Sequence, residues 1–312
     1  MPSETKHVVI LPHFCDEEVA RYEKIAEKMV GWKRPDAKLE FLIAASPKRQ
    51  PSKRLLEAFR PCGDVVPFQC PTQIFGYPEG PTAMFWDCMD FIAERHAGRQ
   101  GFSLWLESDM CPTQSEWIDV LSRQWFERDA DGQLPLMMGC FVPEVYKYRL
   151  FKKPKKILSS HINGGACYSL DFATQMPAEA REGVFDMSVF KYANDVGRAR
   201  ETRSICFSTL NRVRRDVANP DKVLLHGFMQ EKDEFIEQSL LPLTDAEIDS
   251  QRVWNEIREH AETVKRKLRV LFVRKGREAM LENMFLAKQK YELSFPNLKF
   301  VNCQELLPEK AA

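Results

Sequence analysis

Residues 102–117, FSLWLESDMCPTQSEW, decide the fold of this chain. The first five residues of this stretch have the length and aromatic content of a buried strand. Two carboxylates, Glu107 and Asp109, follow at the point where that strand should end. In an open α/β sheet, ligands bind at the carboxyl ends of the strands. The stretch therefore predicts an acidic ligand site at one edge of a sheet.

The rest of the same stretch predicts a strand end followed by a helix. Pro112 is expected to stop the strand, and Thr113 to cap the next helix with Glu116 as its capping-box partner. Acidic groups at a sheet edge suit a hard divalent cation, which binds one or two carboxylates together with substrate phosphates. These features indicate a site for a nucleotide diphosphate and its metal ion, Mn²⁺ or Mg²⁺.

Strand and helix patterns alternate on both sides of this motif. The sequence predicts strands at 7–11, 39–44, 64–68, 136–142 and 162–170, and helices at 16–30, 52–59 and 82–96. Such alternation is typical of βαβ units, and the later strands make the sheet a mixed one. We therefore expect an α/β fold, a Rossmann-type mixed sheet flanked by helices. The predicted main domain covers residues 1–240, and residues 241–312 form an α-rich C-terminal extension of helical and βαβ character.

Composition excludes several classes of protein. The 45 basic and 45 acidic residues cancel, so no overall field selects nucleic acid or a membrane surface. Nine dispersed cysteines without a CxxC pair indicate reduced thiols rather than a disulfide framework. We find neither a signal-peptide profile nor an apolar window of the ~18 residues that span a bilayer. We expect a cytoplasmic protein, or one of the host cytoplasm if the chain is viral.

Other side chains with suitable chemistry also follow apolar runs. His226 comes after one such run, and a neutral imidazole is a reasonable third ligand for Mn²⁺ beside two carboxylates. Pro12, His13 and Phe14 follow the first strand, where the loop of such a sheet holds the nucleotide. A structural histidine and a plain turn are the alternatives for these two segments.

The order of four segments resembles the GT-A class of nucleotide-sugar glycosyltransferases, over roughly residues 6–235. Residues 107–109 look like a variant of the D-x-D motif of that class, with Glu in the first position. Residues 76–81 resemble a donor-side loop found in some bacterial and viral members, and residues 162–168 resemble a strand that lines the acceptor side. Residues 224–227, with Lys232 beyond them, are similar to a late His-Gly element that closes on metal and diphosphate.

The resemblance implies a GT-A-like fold and a set of roles for individual residues. Asp109, Glu107 and His226 would hold Mn²⁺ or Mg²⁺, and Asn163 and Gly164 would contact the acceptor. The residues that would bind the nucleotide-sugar donor, most simply a UDP-sugar, are Pro12, His13, Phe14, Gly76, Gly80, Pro81, Glu107 and Lys232.

The chemistry depends on the stereochemical outcome. An inverting enzyme needs one carboxylate to deprotonate the acceptor hydroxyl. Asp186 is our candidate because it lies between the acceptor strand and the His-Gly element, although Asp171, Glu182 and Asp195 compete for the role. Asp186 could instead cap the helix that follows it. A retaining enzyme requires no such base.

The resemblance implies a glycan as the acceptor or, as the basic clusters at 147–156, 198–215 and 265–277 permit, modified DNA held by its phosphates. Glycosyltransferases that modify hydroxymethylated bases of phage or viral DNA are a branch of this enzyme class.

Two alternative functions stay open. The first is a sugar-nucleotide nucleotidyltransferase, although such enzymes carry a glycine-rich basic loop after the first strand, and residues 12–16 contain neither glycine nor lysine. The second is a non-catalytic module that binds sugar or nucleic acid.

Overall fold

The computed structural model describes residues 5–32, 39–128, 132–143, 160–162, 165–227, 231–249 and 253. Backbone contacts divide the chain after Thr244, and all elements named below lie in the first unit, Met1–Thr244. The helix and strands predicted for the C-terminal extension fall almost entirely outside the described residues. The proposed boundary at residue 240 therefore stays a prediction.

Helices and strands alternate along this first unit. Its strands are β1 (Thr5–His13), β2 (Leu39–Ala45), β3 (Asp64–Gln69), β4 (Gln100–Trp105), β5 (Met110–Pro112), β6 (Met137–Gly139), β7 (Phe141–Pro143), β8 (Ser160–Ile162), β9 (Cys167–Ser169), β10 (Ala199–Glu201), β11 (Ile205–Ser208) and β12 (Leu224–Gly227). Its α-helices are α1 (Asp16–Gly31), α2 (Lys53–Phe59), α3 (Glu79–Arg95), α4 (Trp117–Phe126), α5 (Phe172–Gln175), α6 (Phe185–Asp195), α7 (Leu210–Val217) and α8 (Lys232–Leu240), with a 3-10 helix at Ala178–Arg181.

A seven-stranded mixed sheet forms the centre, in the order β10-β6-β9-β4-β1-β2-β3. Strands β4, β1, β2 and β3 are parallel, and β9 runs antiparallel to both β4 and β6. A smaller sheet, β11-β12-β5, follows the end of β4. The predicted α/β class with a mixed sheet flanked by helices is confirmed.

The central strands are apolar on both faces, as expected for parallel strands covered by helices. Val9 and Leu11 of β1 pack with Tyr22 of α1 in one buried cluster, whereas Val8 and Ile10 pack on the other side with residues of α3. Because β1 and β4 pair in parallel, their carboxyl ends meet at one edge of this covered sheet.

Tyr22 holds that edge together. Its hydroxyl lies 2.6 Å from the carbonyl oxygen of Leu106, after β4, and 3.1 Å from that of Pro12, at the end of β1. The Leu106 amide also donates to the Ile10 carbonyl over 3.0 Å. The chain that leaves β4 toward Glu107 is therefore anchored to β1 and α1.

Three local predictions need correction. Pro12 and His13 belong to β1 itself, so only Phe14 begins the loop. Helix α3 begins at Glu79, which places Gly80 and Pro81 in its first turn. Proline is tolerated there because the first amides of a helix have no intrahelical partner.

The expected helix cap at Thr113 is also wrong. Residues 110–112 form a short strand against β12, and the Thr113 hydroxyl donates to the Lys222 carbonyl over 2.6 Å. Helix α4 starts later, with Glu116 as its N-cap residue. The pairing with β12 comes from a distant part of the chain, so the local capping signal could not reveal it. In the described part of the chain, no helix is long and apolar enough to cross a membrane.

Candidate metal centre

Three side chains with metal-binding atoms converge beyond the end of β4. Each of Glu107, Asp109 and His226 offers one ligand atom, and these atoms all lie within 4.8 Å of one another. His226 Nε2 is 3.2 Å from Glu107 Oε2 and 3.4 Å from Asp109 Oδ1. Two ligands at right angles around an ion about 2.1 Å away lie about 3 Å apart. The spacing therefore matches a site for one divalent ion.

Strand pairing brings these residues together. The chain turns after β4 and enters β5, which pairs Met110 with His226 of β12. At the same place the Gly227 amide donates to the Asp109 carbonyl over 2.8 Å. The acidic motif and the late histidine are thus held by backbone hydrogen bonds rather than by side chains alone.

Two glycines allow this close approach. A Cβ atom on Gly227 would lie 2.9 Å from a ring carbon of Phe235 and 3.3 Å from the Asp109 carbonyl oxygen. A Cβ atom on Gly165 would lie 2.4 Å from the Met110 sulfur and 3.1 Å from His226 Nδ1. A larger residue at Gly227 would press on the Phe235 ring and the Asp109 backbone, and one at Gly165 would require the Met110 side chain to move.

The centre is buried and strongly charged. Burial alone would raise the pKa of Asp109, which is 3% exposed, but its contacts with His226 and Lys232 lower that pKa to about 2. Burial alone would lower the pKa of His226, but Asp109 and Glu107 raise it to about 9. In the absence of a metal ion, the imidazolium of His226 and the ammonium of Lys232 thus face the two carboxylates. A bound metal ion would take the place of that proton.

The donor set fits the metal ion that the sequence implies. Asp109 Oδ1 is buried and has no hydrogen-bond partner, since its 3.4 Å contact with His226 is only an ion pair. Carboxylate oxygens suit Mn²⁺ and Mg²⁺, and an imidazole is compatible with Mn²⁺. Glu107, Asp109 and His226 are therefore the residues that could hold the ion.

Lys232 lies beside the same carboxylates. It is the first residue of α8, and its Nζ is 2.8 Å from Asp109 Oδ2. Its side chain is 40% exposed, so the ammonium group can reach a ligand at the mouth of the site. The arrangement offers a positive charge next to the metal-binding atoms.

The segments predicted to bind the nucleotide lie at the carboxyl end of β1 and around the start of α3. His13 is 1% exposed, its two ring nitrogens lack hydrogen-bond partners, and burial lowers its pKa. Phe14 is exposed at the start of the loop. Gly76, with a φ of +85°, and the helical Gly80 lie next to the exposed Tyr77. The donor-binding role of these residues and of Pro12 and Pro81 stays a prediction.

Asp186, the predicted catalytic base, occupies the first turn of α6 rather than its cap. Its Oδ1 is buried and has no hydrogen-bond partner. Burial raises the pKa of Asp186, the neighbouring His161 opposes the rise, and the negative charge of Glu107 adds to it. A raised pKa suits a proton acceptor. Asn163 and Gly164 fall outside the described residues.

Comparison with known proteins gives only distant likenesses. No protein-family model matches the sequence, and the curated proteins give no significant match. Solved structures do match in shape. Glycosyltransferases are among them.

Three of these structures illustrate the range. The chain is 12% identical to the glycosyltransferase GlyE of Streptococcus pneumoniae TIGR4, with a TM-score of 0.43. The match covers 81% of this chain and 64% of GlyE. The identity to 4-diphosphocytidyl-2C-methyl-D-erythritol synthase is 12% and the TM-score is 0.43, and the match covers 77% of this chain and 99% of the synthase. The identity to mouse xyloside xylosyltransferase 1 is 12% and the TM-score is 0.44, and the match covers 72% of this chain and 98% of the transferase. The chain thus spans about two thirds of the length of GlyE, and likeness at this level assigns neither family nor activity.

Three residues near the candidate site were not predicted from the sequence: Ser108, Arg21 and His161. Ser108, in the middle of the acidic motif, accepts a hydrogen bond from Arg21 of α1. His161 of β8 has a buried Nδ1 without a partner and lies in the electrostatic field of Asp186. A basic stripe on α1 was the one available signal, because Arg21, Lys24 and Lys28 follow helical spacing.

Proposed function

We propose that this chain is a metal-dependent glycosyltransferase of the GT-A type. It would transfer a sugar from a nucleotide-diphosphate sugar to an acceptor hydroxyl. The observation that carries the proposal is the convergence of Glu107, Asp109 and His226 at the end of β4, with Lys232 against Asp109. This edge is where an α/β sheet binds nucleotides.

The charges of the centre support a donor that carries a diphosphate group. Glu107, Asp109 and His226 hold Mn²⁺ or Mg²⁺, which when bound stabilises the negative charge of the leaving diphosphate as a Lewis acid. Lys232 adds a second positive charge on the diphosphate. The proposed donor is a UDP-sugar with a hexosyl or pentosyl group. Pro12, His13 and Phe14 would contact the base, and Gly76, Gly80 and Pro81 would shape the donor loop.

Asp186 is the proposed catalytic base of an inverting reaction. It takes the proton of the acceptor hydroxyl, whose oxygen bonds to the anomeric carbon as the bond to the diphosphate oxygen breaks. Its buried, unpartnered Oδ1 and its raised pKa support this role. Asn163 and Gly164 are proposed to contact the acceptor.

The proposed acceptor is a hydroxyl group of a glycan. In the basic cluster 198–215, Arg198, Arg200 and Arg214 donate to backbone carbonyl groups of the protein itself. These three guanidinium groups are therefore engaged within the fold. The clusters 147–156 and 265–277 lie outside the described residues, and a hydroxymethylated base in DNA is the second acceptor class to test.

The first experiment is a thermal-shift panel of nucleoside diphosphates and their sugars, with and without Mn²⁺. A ligand at one hundred times its dissociation constant stabilises a fold by about 2.7 kcal/mol. We expect a Mn²⁺-dependent shift with one UDP-sugar. A flat panel with folded protein would contradict the proposal and favour a binding module without nucleotide chemistry.

A second measurement separates the two enzyme classes. A glycosyltransferase releases a nucleoside diphosphate, whereas a nucleotidyltransferase that makes sugar nucleotides releases pyrophosphate. The two products are quantified after incubation with the sugar nucleotide and glycan acceptors, or with nucleoside triphosphates and sugar phosphates. Release of pyrophosphate alone would replace our proposal by the nucleotidyltransferase.

A further inference from the structure

Arg21 connects two parts of the candidate site that are far apart in sequence. Its Nη1 donates to Ser108 Oγ over 3.1 Å, and its Nε lies 2.7 Å from Asp233 Oδ1. Ser108 stands between Glu107 and Asp109, and Asp233 follows Lys232. The Arg21 side chain is only 13% exposed. One guanidinium group therefore bridges the acidic motif and the start of α8.

The same face of α1 makes two more contacts with α8. Lys24 Nζ is 2.7 Å from Glu237 Oε1, and Lys28 Nζ donates to the Ser239 carbonyl over 2.8 Å. Together with Arg21 these residues lie three and four positions apart, which places them on one side of the helix. The packing of α1 against α8 thus has support besides Arg21.

We propose that Arg21 is a positioning residue that fixes Lys232 opposite Asp109, and so sets the shape of the site that receives the metal ion and the diphosphate. This inference rests on the proposed function. The physical reason is the planar guanidinium, which donates in two directions at once and so links two acceptors at a defined separation. Without the bridge, the acidic motif and the start of α8 are free to shift relative to each other.

The test compares R21Q with K24Q in the full chain. Lys24 is a matched control because it lies on the same helix face and pairs with the same helix, but its partner Glu237 is one turn further from Lys232. Two probes are used. Binding of Mn²⁺ alone is measured by electron paramagnetic resonance of the free ion, and binding of UDP in the presence of Mn²⁺ is measured by calorimetry. Thermal unfolding of both variants reports stability.

We expect both variants to stay folded, with R21Q unfolding a few degrees below K24Q, because R21Q loses a largely buried ion pair and a hydrogen bond whereas K24Q loses one exposed ion pair. R21Q should bind UDP and Mn²⁺ about tenfold more weakly than K24Q, because displacement of positioned groups by a fraction of an ångström is costly. R21K should not restore binding, because a lysine ammonium replaces only one arm of the fork. Equal affinities of R21Q and K24Q, or full rescue by R21K, would overturn the inference.

The experiment also separates this inference from the proposed function. A wild-type chain that binds Mn²⁺ but no nucleoside diphosphate would contradict the glycosyltransferase. The Mn²⁺ affinities of R21Q and K24Q would then still decide the role of Arg21, with weaker binding in R21Q supporting it. A wild-type chain that binds neither probe would overturn both.

Discussion

The backbone amide of Gly227 donates to the carbonyl oxygen of Asp109 over 2.8 Å, next to the pairing of β5 with β12 that joins the two halves of the metal centre. It places the residue after His226 directly against the acidic motif. Because the contact is made by main-chain atoms, its geometry depends on how closely the two segments can approach. The absence of a Cβ atom at position 227 therefore allows the two segments to approach this closely.

Substitution of Gly227 by alanine should disturb both stability and metal binding. The added methyl group would lie 2.9 Å from the Phe235 ring and 3.3 Å from the Asp109 carbonyl. Overpacking of this kind costs about 1–3 kcal/mol. We expect G227A to lower the free energy of unfolding by that amount in urea titrations and to weaken Mn²⁺ binding. G31A is the control, since a Cβ atom there meets no atom within 4 Å. Equal behaviour of the two variants would contradict the close packing at Gly227.

Asp109→Asn should remove metal-dependent behaviour while the chain stays folded. The substitution keeps the shape of the side chain but removes the buried negative charge that faces His226 and Lys232. We expect loss of the Mn²⁺-dependent thermal shift and of turnover. E57Q, at an exposed position of α2, serves as the control and should behave like the wild type. Full activity of D109N would show that the site is wrongly assigned.

The sequence predicted those features of the fold that depend on local pattern. The apolar strands at the centre and the acidic residues after β4 follow from residue order, because burial on both faces demands continuous apolar runs. It also placed His226 after an apolar run, in what is now β12. Their meeting within one site was inferred from the resemblance and not from any local signal.

The features that the sequence did not reveal are those made by distant contacts. Strand β5 exists because residues 110–112 pair with β12, and this pairing overrides the capping pattern at Thr113. The same reason explains why Arg21 was missed. Its role depends on Ser108 and Asp233 being near each other, which no pattern within α1 can show.

Asp186→Asn should affect the rate of the reaction and leave donor binding intact. Asp186 is the proposed base and is not one of the three candidate metal ligands, so its loss should remove proton abstraction but leave those ligands in place. We expect kcat to fall by about 10²–10⁴-fold, with unchanged affinity for UDP and Mn²⁺. E182Q is a suitable control, because Glu182 is an exposed carboxylate near the start of the same helix. A D186N enzyme with normal kcat would exclude Asp186 as the base and favour a retaining reaction.

Glu40 should make the fold sensitive to acid at a position away from the candidate site. Burial by itself would raise the pKa of Glu40, but the hydrogen bonds from His96 and Arg95 outweigh burial and lower that pKa to about 2. Its ordinary value is 4.5, so the unfolded chain binds this proton more readily than the folded chain does. The stabilisation is therefore complete above pH 4.5 and is lost as the pH falls toward 2. Its size is at most about 3.5 kcal/mol, since the shift from 4.5 to about 2 is multiplied by about 1.4 kcal/mol for each pKa unit. Urea titrations between pH 7 and pH 3 should show a decline in the wild type that is shallower in E40Q. Because Asp109 and the other carboxylates titrate in both proteins, the difference between the two pH curves isolates Glu40. Parallel curves would show that the ionisation of Glu40 does not stabilise the fold.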